Sequence, residues 1–296
     1  MRQFIENQLG ITLVLACLLG LVFPFGQHIS GYVIITLLAA VTFLSCYKIN
    51  LSGGSIISFP PIAFCIGRYA ILPLILWYFA HVLIPEYSLA VLLITLLPAG
   101  VSSPAFTSLF NGNVTLAFIV TFISSAMCLM LIPIYISTIE YNGVSIDPIP
   151  LFRTLALCIL LPICLHSFLR ESTRIKKYNQ LHGRFTSVLL IAAIIFIVIA
   201  KERHEILHDA TAFILPAVIA LVCFSIFLLV SFSFKATASN RIAYVICSTF
   251  NNAALGVSVA VIHFETKVVL ATVAAELMWA LLPIFVQPLI KRSFWQ

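Results

Sequence analysis

The sequence predicts an all-α integral membrane protein of about ten transmembrane helices, arranged as two inverted repeats of five. Three observations carry this. The 296 residues are 62% hydrophobic and only 9% charged, with a mean hydropathy of +1.14. No water-soluble domain has that balance. The apolar residues gather into ten segments, each near the roughly 20 residues that a spanning helix needs. Two of those segments, the fourth and the ninth, are interrupted by small and polar residues at matching places in the two halves.

The segments are 9–26, 30–47, 59–83, 88–111, 113–138, 148–170, 184–201, 209–233, 241–264 and 267–290. The first, with its apolar run from Ile11 to Phe25, lacks a cleavage signal and reads as a retained span. The third carries a basic residue, Arg68, at depth. The fourth reads LLITLLPAGVSSPAFTSLFNGN, Leu92 to Asn113, with Pro98 and Pro104 shaping its break. Between the sixth and seventh lies RESTRIKKYNQLHGR, Arg170 to Arg184, expected as a solvated loop. The ninth reads VICSTFNNAALGVSVAVIHF, Val245 to Phe264, and the tenth holds one acid, Glu276. A helix break inside a bilayer leaves backbone groups that lipid cannot satisfy, so it is tolerated where it lines a polar cavity. Such a pair in corresponding positions marks a transporter's binding site.

Ten spans put both termini on one side. That side collects 11 of the 16 basic residues, among them Lys48, Arg174, Lys176, Lys177 and Lys235. The other side has Arg153, Lys201, Arg203 and Lys267. By the positive-inside rule both termini are cytoplasmic, in the plasma (inner) membrane. The +6 net charge is then loop bias and implies no nucleic-acid partner. An odd number of spans per half inverts the second half, giving repeats over 1–140 and 141–296. The eight cysteines lie in apolar stretches without a CxxC pair, so neither disulfides nor zinc are expected.

Three strings carry a family resemblance. LPAGVSSPAFTSLFNGNVTLAF on the fourth span, FNNAALGVSVAVIHF on the ninth and GRYAILPLILWYF on the third resemble the motifs of the bile acid:sodium symporter family, in order and on the matching spans. The resemblance runs over roughly 9–290. It implies a core of six helices, a panel of four, and two discontinuous helices crossing near the midplane. It further implies transport of amphipathic or small organic anions by alternating access.

The family's sodium ligands carry over only in part. Ser103 and Thr121 are kept, whereas Pro104 and Ala117 replace an asparagine and a serine. Cys247 stands where the family has its glutamate, Asn251 where it has a glutamine, and Arg68 where the third-span glutamine would be. Sodium is a hard cation and takes oxygen ligands, whereas a guanidinium brings a fixed positive charge and five donors. The resemblance therefore implies a second sodium site lost to Arg68 and a first one reduced to Ser103 and Thr121. Sodium is the one ion in question, and no cofactor or other metal is expected.

Arg68 lies about nine residues into its span, or roughly 14 Å deep. A charge there costs about 2.5–3.5 kcal/mol on insertion scales. Glu276, at similar depth, is the expected partner. The substrate candidates at the breaks are Ser102, Ser103, Thr107, Asn251 and Asn252; small-residue packing or helix capping is the plainer reading of the same residues. For Arg68 the alternatives are a structural tie, ion replacement and contact with the anion. Glu276 is also a candidate proton carrier. His263 and His166 read as interfacial or packed residues.

The leading expectation is a secondary transporter of an organic anion, with the half-helix dipoles and Arg68 favouring that charge. An intramembrane enzyme lacks its residues: no span carries HxxxH, GxSxG or paired acids. A non-transporting sensor or scaffold on the same fold remains open. So does an arsenite-type carrier using Cys247. Substrate identity, coupling ion and oligomeric state are not legible.

Overall fold

The structure is a computed structural model that describes residues 9–46, 59–139, 147–169, 171–208 and 211–277. All the regular elements among the described residues are helical. In chain order they are α1 (Leu9–Val22), α2 (Gly31–Cys46), α3 (Phe59–Leu83), α4 (Ser88–Leu96), α5 (Ser103–Leu109), α6 (Val114–Thr138), α7 (Pro148–Leu169), α8 (Thr173–His208), α9 (Thr211–Ser233), α10 (Ala238–Thr249), α11 (Ala253–His263) and α12 (266–277). Five stretches, in α3, α6, α7, α8 and α9, are long and apolar enough to cross a membrane. The remainder of the tenth expected span, beyond residue 277, lies outside the described residues.

The fourth and ninth spans are each two short helices. α4 stops at Leu96 because Leu97 turns extended and Pro98 has no N–H to continue the ladder. α5 restarts at Ser103 with Pro104 in its first turn, where a missing donor costs nothing. α10 ends at Thr249, and α11 begins after Asn252, whose side-chain oxygen accepts from Leu255 N at 3.3 Å.

Two expectations are corrected here. The first span ends at Val22 instead of residue 26, because Pro24 opens a 3-10 turn over Pro24–His28. The basic run from Arg170 to Arg184 is helical from Thr173 onward and joins the seventh span in one 36-residue helix. Its Lys, Arg, Gln and Leu residues are good helix formers, and no proline interrupts 173–208.

The helices pack as two groups. α1, α2, α7 and α8 form one, with α8 against α1 and α2, and α2 against α7. Gly20 lets α1 approach α8 so closely that a Cβ would lie 2.8 Å from the Phe196 carbonyl. α3, α4, α5, α6, α9 and α10 form the other group; α11 touches both, and α6 against α7 and α9 against α8 also cross between them. The second group holds a cluster of buried polar side chains unusual for such an apolar chain: Arg68, Thr95, Ser103, Thr107, Thr121, Ser124, Ser248 and Asn251.

Candidate functional site: the crossing of the two broken helices

The two breaks meet. Gly100 N donates to Phe250 O at 2.6 Å and Asn252 N to Pro98 O at 2.8 Å, forming an antiparallel bridge between Ala99 and Asn251. Each break thus supplies the partners that lipid could not. Gly100 favours this approach, since a Cβ there would sit 3.0 Å from the Phe250 carbonyl and push the two segments apart by a few tenths of an ångström. Ser103 Oγ donates to the same carbonyl at 3.2 Å.

Among the carbonyls freed at the breaks, one from each lies beside Arg68. In an unbroken helix Thr95 O would accept from residue 99 and Ser248 O from residue 252. Here Ala99 N donates instead to Ser124 Oγ, at 3.1 Å, and Asn252 N goes to Pro98 O. The freed oxygens point from the C-terminal ends of α4 and α10, the negative ends of their dipoles.

Arg68 takes both. Its Nη1 donates to Thr95 O at 2.9 Å and its Nη2 to Ser248 O at 3.0 Å. Nη2 also reaches Asn251 Oδ1 at 3.3 Å, and Nε reaches Ser248 Oγ at 3.1 Å. Ser248 Oγ in turn donates to Phe227 O at 3.0 Å. The guanidinium carbon lies 3.5 Å from the Phe227 ring centroid and 4.7 Å from that of Tyr69, a cation–π setting. The residue is 1% exposed.

The local fold of α3 puts Arg68 there. Pro73 offers no N–H to Tyr69 O and its ring crowds that carbonyl, so the ladder widens into a π segment over Gly67–Ile71. Leu72 N accordingly reaches back to Gly67 O. A π bulge is frequent at functional sites.

The expected partnership of Arg68 with Glu276 is not formed. No carboxylate is within ion-pair distance of Arg68 among the described residues, although Glu276 is itself buried on α12. The physical reason is that oxygens freed at both breaks, with an aromatic face, already satisfy the guanidinium. Sequence reasoning brought Arg68 and Asn251 together correctly but missed Ser248, Thr95 O, Ser124 and Phe227. Ser248 was legible as a polar residue in the last turn before the second break. Phe227 carried no signal, being one of 24 phenylalanines.

The remaining candidates lie close around the crossing. Thr121 Oγ1 donates to Ala117 O at 2.8 Å, and Cys247 Sγ lies 3.5 Å from the same carbonyl. Cys65 Sγ faces Val120 O, one turn on, at 3.9 Å. Thr107 Oγ1 and Asn251 Nδ2 are buried without a hydrogen-bond partner. Ser102 is half-buried at the start of α5 and makes no cap bond. Asn252 caps α11, the plainer of its two readings.

The oxygens between the breaks already have a cationic partner. The carbonyl, hydroxyl and amide oxygens that would suit a cation between the breaks are bonded to Arg68. Ser103 and Thr121 each donate their hydroxyl proton to a backbone carbonyl and keep oxygen lone pairs, and the side chain beside Thr121 is the thiol of Cys247.

A sequence model of the Sodium Bile acid symporter family matches residues 62–209. The chain belongs to this family. The matched stretch contains Arg68 and the first break; the second break lies beyond it. A curated relative of the family type, an "Uncharacterized sodium-dependent transporter YocS" of Bacillus subtilis (strain 168), is 28% identical over 147 residues. That alignment covers 49% of this chain and 46% of the relative, so it spans about half the length of the curated protein. Family membership accords with the five helical stretches long and apolar enough to cross a membrane.

Proposed function

We propose that the protein is a secondary transporter of a small or amphipathic organic anion, working by alternating access and without a bound sodium ion in its second cation site. Ten spans in two inverted repeats would form it, with α1, α2, α7 and α8 as the panel and the other helices as the core. Both termini would be cytoplasmic and the membrane the plasma membrane. Arg68 holding the carbonyl ends of both half-helices carries the reading. Half-helix C-termini and unwound carbonyls are where transporters of this kind coordinate a coupling cation. A guanidinium bonded to two such carbonyls, and to the Ser248 hydroxyl and the Asn251 amide oxygen, supplies that cation permanently.

The anion would sit at the crossing, among Ser102, Ser103, Thr107, Asn251 and Asn252. The buried Asn251 Nδ2 and Thr107 Oγ1 are the groups there with bonds still to make. The N-terminus of α11 adds the positive end of a dipole.

The test is uptake of radiolabelled amphipathic and small carboxylates into proteoliposomes, in sodium, in choline and then under a pH gradient. Equal uptake in sodium and choline is expected. Uptake that strictly requires sodium would overturn the role given to Arg68 and favour the second reading, suggested by the printed name of the relative, of ordinary sodium coupling. If no carboxylate moves under any condition, the sensor or scaffold reading takes over. Arg68→Gln empties the cation position and is expected to make transport or thermal stability respond to sodium.

A further inference from the structure

The two helix groups join through α11, which packs against α2, α7 and α8, and also where α6 meets α7 and α8 meets α9. On the other side of the crossing, α5 and α10 pack against α6 and each other, and α10 also against α9. On α5 the face carrying Ala105 and Ser108 is exposed. Among the described residues the two groups are in contact at the His263 end of α11, and α5 has an exposed face.

At the closed end Thr154 of α7 meets His263, the last residue of α11. Thr154 Oγ1 and His263 Nε2 are 2.8 Å apart. The same Oγ1 lies 3.0 Å from Pro150 O, which can only accept. A hydroxyl has one proton, and Pro150 takes it. The bond to His263 then requires the hydrogen on Nε2, which fixes the tautomer of the ring. Thr154 is buried and His263 half-buried, so the bond is made largely out of water. A histidine in a helix's last turn also faces unpaired carbonyls, which favour a donor there.

The geometry points to Thr154 and His263 as a latch that holds the two helix groups together at this end and opens whenever α11 parts from α7. The inference rests on the alternating-access reading above. Both are positioning residues: His263 lies 11 residues beyond Asn252 along α11, roughly 16 Å from the crossing at 1.5 Å per residue. Neither touches Arg68.

The test is a distance measurement between nitroxide labels at Ile149 and Glu265, both exposed and close in sequence to the pair. It uses the full chain in nanodiscs, without substrate, with reactive native cysteines replaced. Thr154→Val keeps the shape and removes the hydroxyl. His263→Phe removes the donor, and His263→Gln keeps an amide donor at similar reach. Losing one such bond is expected to raise the ratio of long to short distances roughly 2- to 10-fold in Thr154→Val and in His263→Phe. His263→Gln and Thr154→Ser are expected to match the parent, and the double variant Thr154→Val, His263→Phe to rise no further than either single one. Unchanged distances in both single variants overturn the latch; so does a His263→Gln profile equal to that of His263→Phe, or an additive double variant. Should Thr154→Val fail to fold, the two His263 variants decide alone. No transport is measured, so a failed latch leaves the transport reading standing, and a failed uptake assay leaves the latch standing.

Discussion

The two breaks reach the same backbone arrangement by different side chains. The first runs over 97–102, with Pro98 ending one helix and Pro104 starting the next. The second runs over 250–252 without a proline. In the first, the orphaned Ala99 N–H is met by Ser124 from a neighbouring helix. In the second, Asn252 caps α11 from within the break itself. Yet in each a carbonyl four residues before a redirected N–H, Thr95 O in the first and Ser248 O in the second, ends on Arg68. What the halves share is a pattern of hydrogen bonds, and little sequence is needed to keep it.

That likeness can be broken most forcefully through Arg68, the one group common to both breaks. Arg68→Ala leaves Thr95 O and Ser248 O buried without a donor, and a loss of about 3–5 kcal/mol is expected in thermal or denaturant unfolding in detergent. A loss below about 1 kcal/mol would mean that water satisfies the carbonyls. Next come the glycines that let the breaks approach. Gly100→Ala drives a Cβ onto the Phe250 carbonyl, 3.0 Å away, and is expected to cost about 1–3 kcal/mol. Gly256→Ala meets the Leu97 side chain at 2.7 Å, but that leucine can rotate, so a smaller loss is expected by the same assay. Equal losses would show that the Leu97 side chain cannot rotate away.

The caps sharpen the contrast further. Ser124→Ala strands the buried Ala99 N–H and is expected to cost about 1–2 kcal/mol. Asn252 is half-buried, so water can replace its side chain, and Asn252→Ala is expected to cost about 0.5–1 kcal/mol. Reversal of that order in matched unfolding curves would place the more fragile cap in the second half. The smallest effect is expected away from the crossing. Lys267 and Glu86 pair at 2.6 Å with side chains 47% and 57% exposed, so Lys267→Gln should shift stability by no more than about 0.5 kcal/mol.

Most of the helices were legible because an apolar run of spanning length has few other fates. The breaks were legible because prolines, glycine and asparagines stand out against such runs. The partner of Arg68 was not. The sequence offers one acid at similar depth, Glu276, and charge balance points to it. A guanidinium is equally content with several neutral oxygens, and main-chain oxygens have no letter in the sequence. Only the hydrogen-bond ladder, once broken, tells which carbonyls are free. The basic run before the seventh span was misread for a related reason: its charge marked it as solvated, which does not prevent it from being helical.

One feature of the crossing has an energetic consequence for direction. An ion that binds, crosses and leaves lends its gradient to the solute. A guanidinium fixed to α3 by covalent bonds can never dissociate, so it lends none. On the reading proposed above, a monovalent anion moving alone would answer only to its own concentration and to the membrane potential. With the interior negative, each 100 mV opposes its entry by about 2.3 kcal/mol, roughly a 50-fold ratio at equilibrium. Such a carrier would run outward in a resting cell. Proteoliposomes clamped at opposite potentials with a potassium ionophore should show that rectification; flux indifferent to the sign of the voltage would mean that another charge travels with the anion.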